Sequence, residues 1–200
     1  NYLAAFITDG LRAGIAYADI TTGDFAVTEI DNKDALTELQ RLAPAEIIIT
    51  ESQEAISNRH LPQFVTRFNS EFFHPAKAKK TLLKHFSATS LKPFGLENSP
   101  LAISAAGALI SYLRETQGDA EQLTRLTRYD SGEFMLLDGN TLRSLEIFES
   151  SAGKSLLSVI DRTKTPMGGR VLGRWLRQPL LNTAEIYRRQ EHLAWFKENP

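Results

Sequence analysis

Apolar and polar positions change rhythm several times along this chain, and each change marks an element. Tyr2 to Thr8 is apolar and ends at Asp9-Gly10, a pair suited to a tight turn. Gly14 to Ile20 follows, then Thr22-Gly23-Asp24 as a second turn, then Phe25 to Ile30. In that third run Phe25, Val27 and Glu29 point one way and Ala26, Thr28 and Ile30 the other, the period of two of a strand. Such short connections predict an antiparallel meander. Asn32 or Asp34 then caps a helix to Leu42, with Leu36, Leu39, Ala35 and Leu42 inward and Pro44 beyond its end.

Ile47-Ile48-Ile49-Thr50 has no polar alternation, as expected of a strand covered on both faces. A polar helix is predicted near Ser52 to Arg59, a strand at Gln63 to Phe68 and a helix from Pro75 to Phe86. Ser87 to Asn98 reads as a loop anchored by Leu91, Phe94 and Leu96. Ser99-Pro100 opens the strongest helix of this half, with Leu101, Ala105, Leu109, Tyr112 and Leu113 inside and Gly118 at its end. Asp119 to Asp130 is polar and turn-rich, a plausible boundary. Further on, Glu146 to Ser151 reads as a helix running into a polar loop, and Ser155, Thr165-Pro166 and Asn182-Thr183 start three more helices. In the middle one Met167, Val171, Leu172, Trp175 and Leu176 form one apolar stripe. Trp175 is expected to be buried against Leu172, Leu176 and Leu180-Leu181.

Leu136 to Phe148 (LLDGNTLRSLEIF) and Ser155 to Phe196 also resemble the start of the core domain of MutS-family DNA mismatch-repair proteins. There the pattern is L-D-x-x-T-x-R-x-L-E-[LI], then S-L-[LI]-x-x-[LIV]-D-x-T-x-T-x-M-G-x-R-[LV]-L-x-x-W-L-x-x-P-L. Trp175, Met167-Gly168 and Pro179 are its least interchangeable positions; Ser144 departs from it, the family usually having Asn after Arg143. NYLAAF, PAEIIITE and FGLENSPLAISAAGALISYL resemble the connector domain that precedes that core. The order βββαβαβα is that of ribonuclease-H-like folds, to which the connector belongs. The resemblance therefore implies a ribonuclease-H-like α/β connector with a mixed sheet at 1–117, a linker at 118–130, and a truncated all-α part of the core at 131–200.

Charge divides the chain. Residues 1–124 hold 11 Lys/Arg against 15 Asp/Glu, whereas residues 125–200 hold 12 against 9. An acidic first part does not suit a nucleic-acid surface. Asp161 to Arg177 is the densest basic stretch, and Arg170, Arg174 and Arg177 share a helix face. That face is either a solvated, salt-bridged surface or a DNA contact. Lys77, Lys79, Lys80 and Lys84 make a second cationic run, either a solvated face or a docking spot for an acidic partner. Cysteine is absent, so there is neither disulfide framework nor thiolate metal site. No apolar run approaches a membrane span. The chain opens on Asn1 without a Met and stops just after a helix, as expected of a piece of something longer.

Candidate chemistry is sparse. Ala152-Gly153-Lys154-Ser155 imitates the end of a phosphate-binding loop, but Phe148 stands where the first glycine of G-x-x-x-x-G-K-[ST] belongs. Asp9, Glu38 and Glu51 lie where an active ribonuclease-H-like nuclease would place carboxylates for two Mg²⁺ ions. Against that, Asp9-Gly10 is explained by its turn and the inward face of the Glu38 helix by its apolar residues. His60, His74, His85 and His192 have no ligand spacing.

The resemblance implies no catalytic, cofactor-binding or metal-binding residue in this segment. It implies ATP and Mg²⁺, mismatched duplex DNA, a MutL-like partner and a homodimer for the full-length protein, at work in the bacterial cytoplasm on the nucleoid. The connector and core would couple the DNA-binding and ATPase parts. The alternatives are a metal-dependent nuclease using Asp9, Glu38 and Glu51, and a MutS paralogue acting in recombination. A truncated core also implies that Leu142, Leu145, Ile147, Val159, Val171, Trp175, Ile186 and Leu193 do not all find cover.

Overall fold

The computed structural model describes residues 2–51, 64–118, 120–135 and 137–199, which form two compact units, 1–129 and 130–200. The first is built on a six-stranded mixed sheet. β1 (Leu3–Thr8), β2 (Arg12–Asp19) and β3 (Asp24–Asp31) form the antiparallel meander, with Ala5 opposite Ala16 and Ala16 opposite Val27. After α1 (Asn32–Leu42), β4 (Glu46–Thr50) joins β1 in parallel and β5 (Phe64–Phe68) joins β4 in parallel. Then come α2 (Pro75–His85), α3 (Pro100–Gln117) and β6 (Thr127–Arg128), giving the strand order β5-β4-β1-β2-β3-β6. The helix expected near Ser52 to Arg59 lies outside the described residues.

The two sheet faces carry different cores. Ala5, Ala16, Val27 and Ile48 point to the side covered by α2 and α3, in one cluster with Leu82, Leu109 and Leu113. Their neighbours Phe6, Ile15, Ile47 and Ile49, of opposite parity, are also sealed, and α1 packs on β2 and β3 with Ala35, Leu39 and Leu42 buried. Leu36, expected inside, is only half-buried. Helix α3 sits unusually close to the sheet: a β-carbon on Gly14 would overlap the Leu101 carbonyl, and one on Gly107 would overlap Ala78 of α2. More than its expected stripe is inside, because Ala102, Ala106, Ala108 and Ile110 are buried too. A helix that is apolar all round belongs in an interior. The side-chain carboxylate of Glu29 accepts the Leu101 and Ala102 N–H groups at 3.0 and 3.2 Å, satisfying donors that the first turn of α3 leaves open.

Of the stretch 118–130, expected as a linker, the described residues up to Tyr129 belong to the first unit and Asp130 to the second. Ala120, Leu123, Leu126 and Tyr129 are buried, and β6 pairs with β3 through Ala26–Thr127 and Val27–Arg128. Its polar residues hid an i, i+3, i+6 series of large side chains.

The second unit consists of short capped helices. Asp138 caps α4 (Gly139–Ser144) through the Thr141 N–H at 2.7 Å, and Ser155 caps α5 (Leu156–Ile160). Thr165 and Asn182 cap α6 (Pro166–Arg177) and α7 (Thr183–Glu198), as their sequences predict. The helix expected to continue from Glu146 is not there. α4 stops at Ser144, and Glu146 takes φ +50°, turning its carbonyl and that of Ile147 to receive the N–H groups of Leu156 and Leu157.

Leu142 and Ile147 are buried, but Leu145, Val159, Val171 and Leu193 are exposed and Ile186 is half-buried. Trp175 is half-buried rather than buried, because the Arg189 guanidinium, not an apolar layer, lies over its ring at 4.5 Å. No described helix is long and apolar enough to cross a membrane.

Candidate functional site

The three carboxylates that a nuclease would need have other work or stand apart. Asp9 is exposed, and its Oδ1 accepts the N–H groups of Leu11 and Arg12 at 2.9 and 2.7 Å. Those two bonds hold its carboxyl below the usual aspartate range. They close the β1–β2 turn, as Asp9-Gly10 predicts. Glu51 is exposed just beyond β4. Among the described residues, no three His, Cys, Asp or Glu side chains converge as a metal site.

Glu38 differs from its expected place. It lies on the buried face of α1, 1 % exposed, and forms a two-pronged ion pair with Arg41, whose Nε donates at 2.8 Å and whose Nη2 donates to the other oxygen. The Tyr129 hydroxyl donates to the same carboxylate at 2.6 Å, and Tyr17 meets the Tyr129 ring edge-on with centroids 5.6 Å apart. Burial, then the neighbouring carboxylate, pushes the Tyr129 phenol well above its ordinary value, so it remains a donor. Buried charge is tolerated here because it is paired and hydrogen-bonded. Sequence reasoning passed over this cluster, although Glu38 is in phase with Ala35, Leu39 and Leu42, the signal that would have found it.

The loop resembling a phosphate-binding motif is a helix cap. Gly153 takes φ +103°, and the nearly buried Ser155 uses its hydroxyl to accept the Ser158 N–H at 3.2 Å. Of the histidines, His74 and His192 are exposed and His60 lies outside the described residues. His85 is half-buried: Nε2 bonds the Leu123 carbonyl at 2.8 Å, and Arg114 lies 3.1 Å from Nδ1.

The cationic candidates separate by face. On α2, Lys77, Lys80 and Lys84 look into a groove shared with α3, whereas Lys79 does not line it. On α6, Arg177 stacks over the Phe148 ring at 3.9 Å, and Arg174 sits close enough to Arg189 to help lower that guanidinium's affinity for its proton, after partial burial. Arg170 is exposed. Each of the three α6 arginines interacts with another group of the protein.

Comparison with known proteins places both units. Residues 1–127 match the family model of MutS domain II, and residues 140–200 match that of MutS domain III. The chain is 42 % identical over 203 residues to the DNA mismatch repair protein MutS of Dehalococcoides mccartyi strain 195, covering 99 % of this chain and 24 % of that protein. It is 38 % identical to MutS of Syntrophobacter fumaroxidans, covering 100 % of this chain and 24 % of the relative. With MutS of Thermosynechococcus vestitus it shares 39 % identity, covering 100 % and 25 %. The chain thus spans about a quarter of the length of the curated relatives it matches.

Proposed function

Because this chain belongs to the MutS family and carries its domains II and III in order, we propose that it is the connector and the first part of the core of a mismatch-recognition ATPase. In that role it performs no chemistry; it couples the DNA-binding and ATPase parts of the full-length protein. The observation that carries the reading is the use made of its polar residues. Asp9 closes a turn, Glu38 neutralises Arg41, and Ser155 caps a helix, so these three groups that nuclease or nucleotide chemistry would claim serve the fold. Within the sheet order β5-β4-β1-β2-β3-β6, the run β5-β4-β1-β2-β3 with β1, β2 and β3 antiparallel supports the ribonuclease-H-like assignment of the first unit.

On this reading ATP and Mg²⁺ are bound by other parts of the full-length homodimer, which engages mismatched duplex DNA in the bacterial cytoplasm. The connector offers a docking surface to a MutL-like protein, with Lys77, Lys79, Lys80 and Lys84 as candidate contacts. Arg170, Arg174 and Arg177 are candidate phosphate contacts of the core part.

The chain by itself is expected to bind neither ATP nor mismatched duplex selectively. ATP-dependent thermal stabilisation that survives high salt, or a mismatch preference of about tenfold, would sink the assignment. In the full-length protein, amide exchange over 118–135 should change when nucleotide binds, since coupling requires an element that both sites bias. Unchanged exchange there would leave the coupling role without support.

A further inference from the structure

Residues 120–129 lie on the surface of the first unit with every third side chain turned in: Ala120, Leu123, Leu126 and Tyr129 are buried, and the residues between them are exposed. The two ends of this strap rest on different seats. Ala120, Leu123 and Leu126 belong to the apolar cluster of α2 and α3, and His85 Nε2 donates to the Leu123 carbonyl at 2.8 Å. Lifting that end returns two buried leucines to water, which opposes the motion in proportion to their apolar area.

Tyr129 reaches the opposite face of the sheet. Its hydroxyl donates to Glu38 at 2.6 Å, its ring meets Tyr17 of β2 edge-on, and the Arg41 guanidinium lies 5.9 Å from the ring centroid. The seat here is an ion pair, with Glu38 1 % and Arg41 0 % exposed. Charges taken out of water lose hydration that even a well-made pair commonly recovers only in part. Lifting Tyr129 lets water back without breaking the pair, because both Arg41–Glu38 bonds lie within α1. The other fastenings of this end are few and at the surface. β6 pairs with β3 at Ala26–Thr127 and Val27–Arg128, the Tyr129 N–H donates to the Val27 carbonyl at 3.0 Å, and the exposed Arg128 donates to the Gly95 carbonyl at 2.8 Å.

We propose that residues 127–129 form a latch that opens from Tyr129 while Leu123 and Leu126 stay seated, and that the buried Glu38–Arg41 pair is what keeps the latch openable. An apolar seat of similar volume would hold Tyr129 shut. The ion pair holds it closed for most of the time and accepts water when it lifts, so this end opens locally, without unfolding of the unit. The latch belongs to the chain's own packing and does not rest on the coupling role.

The test is native-state hydrogen exchange of the isotopically labelled chain, followed by nuclear magnetic resonance in rising, sub-denaturing urea. The Tyr129 amide should be at least about a hundredfold less protected than the amides of β2, with little dependence on urea, and the Leu123 amide at least about tenfold more protected than that of Tyr129. Tyr129→Phe, which removes the bond to the carboxylate, should lower protection at position 129 by about tenfold. Replacing the seat, in Glu38→Leu/Arg41→Met/Tyr129→Phe, should raise it above the wild type by about tenfold or more. The idea is overturned if the Tyr129 amide exchanges only together with those of β2, since the strap then opens only by unfolding of the whole unit. Equal exchange at Leu123 and Tyr129 also overturns it, the strap then lifting as one piece. A folded triple variant in which position 129 is no better protected than in the wild type removes the ion pair from the argument. Should that variant not fold, Tyr129→Phe decides, and protection within about twofold of the wild type counts against the seat. In the full-length protein, local opening at Tyr129 that nucleotide leaves unchanged supports the latch and overturns the coupling role alone.

Discussion

Leu109 and Leu193 are both apolar residues of long helices, yet the first is 0 % exposed and the second 57 %. Leu109 sits in α3, which is covered by α2 on one side and the sheet on the other. Leu193 sits in α7 with Trp195 and Phe196, themselves 58 % and 66 % exposed. Start signals mark a helix in both places, but an apolar residue within a helix does not say whether anything covers it. In the first unit β-strands and helices close on each other. In the second, the caps are complete while the apolar faces stay open, so local and tertiary structure are separable.

Protease sensitivity should show the contrast most strongly. Trypsin is expected to cut first at Arg143, Lys154 or Arg162 and to leave a resistant product ending beyond Tyr129. A first cut at Arg125 or Arg128 would show that the 118–130 stretch is not packed as described. Next in size is Arg41→Ala, which strands the Glu38 carboxylate in the interior and should cost about 3–5 kcal/mol in urea unfolding of the first unit. A cost below about 1 kcal/mol would mean that water reaches the cluster.

The two leucines give the direct test. Leu109→Ala should cost about 2–5 kcal/mol, and Leu193→Ala should stay within about 0.5 kcal/mol. Trp175→Ala belongs between them, at about 1–2 kcal/mol for a half-buried ring with a cation over it. Equal costs at Leu109 and Leu193 would erase the comparison.

The smallest effect concerns acid. The Thr141 N–H holds the exposed Asp138 carboxyl below the ordinary aspartate value of 3.8. A depressed carboxyl contributes stability that is present above that value and is lost as pH falls through the lower folded one. The protection of the Thr141 amide, relative to its intrinsic exchange rate, should therefore fall only below about pH 4, and Asp138→Asn should flatten the dependence.

Most of the first unit was legible because turns, alternation and caps are local. Asp9-Gly10, the isoleucine run and Pro100 with Gly118 are each read within a few residues. What escaped is long-range. Tyr129 meets Glu38 across 91 positions, and no window along the chain joins them. β6 has two residues, too few for any period. The groove beside the α2 lysines is also lined by Phe72 and Arg114, which lie outside that helix and far from one another along the chain. Trp175 was misjudged because its stripe predicts burial without supplying the surface that would bury it.

Strand β6 is where the chain leaves the sheet, and two register pairs with β3 and the Tyr129 hydroxyl fasten it there. Mechanically it is a rivet. A load on the chain at Tyr129 falls first on the sheet edge at Val27, whose carbonyl accepts the Tyr129 N–H. Since β6 runs parallel to β3, a pull along the strand loads those rungs in shear, all at once, rather than peeling them one by one. The strength of those few rungs, more than their position, therefore decides whether the last residues of the first unit stay on the sheet under load.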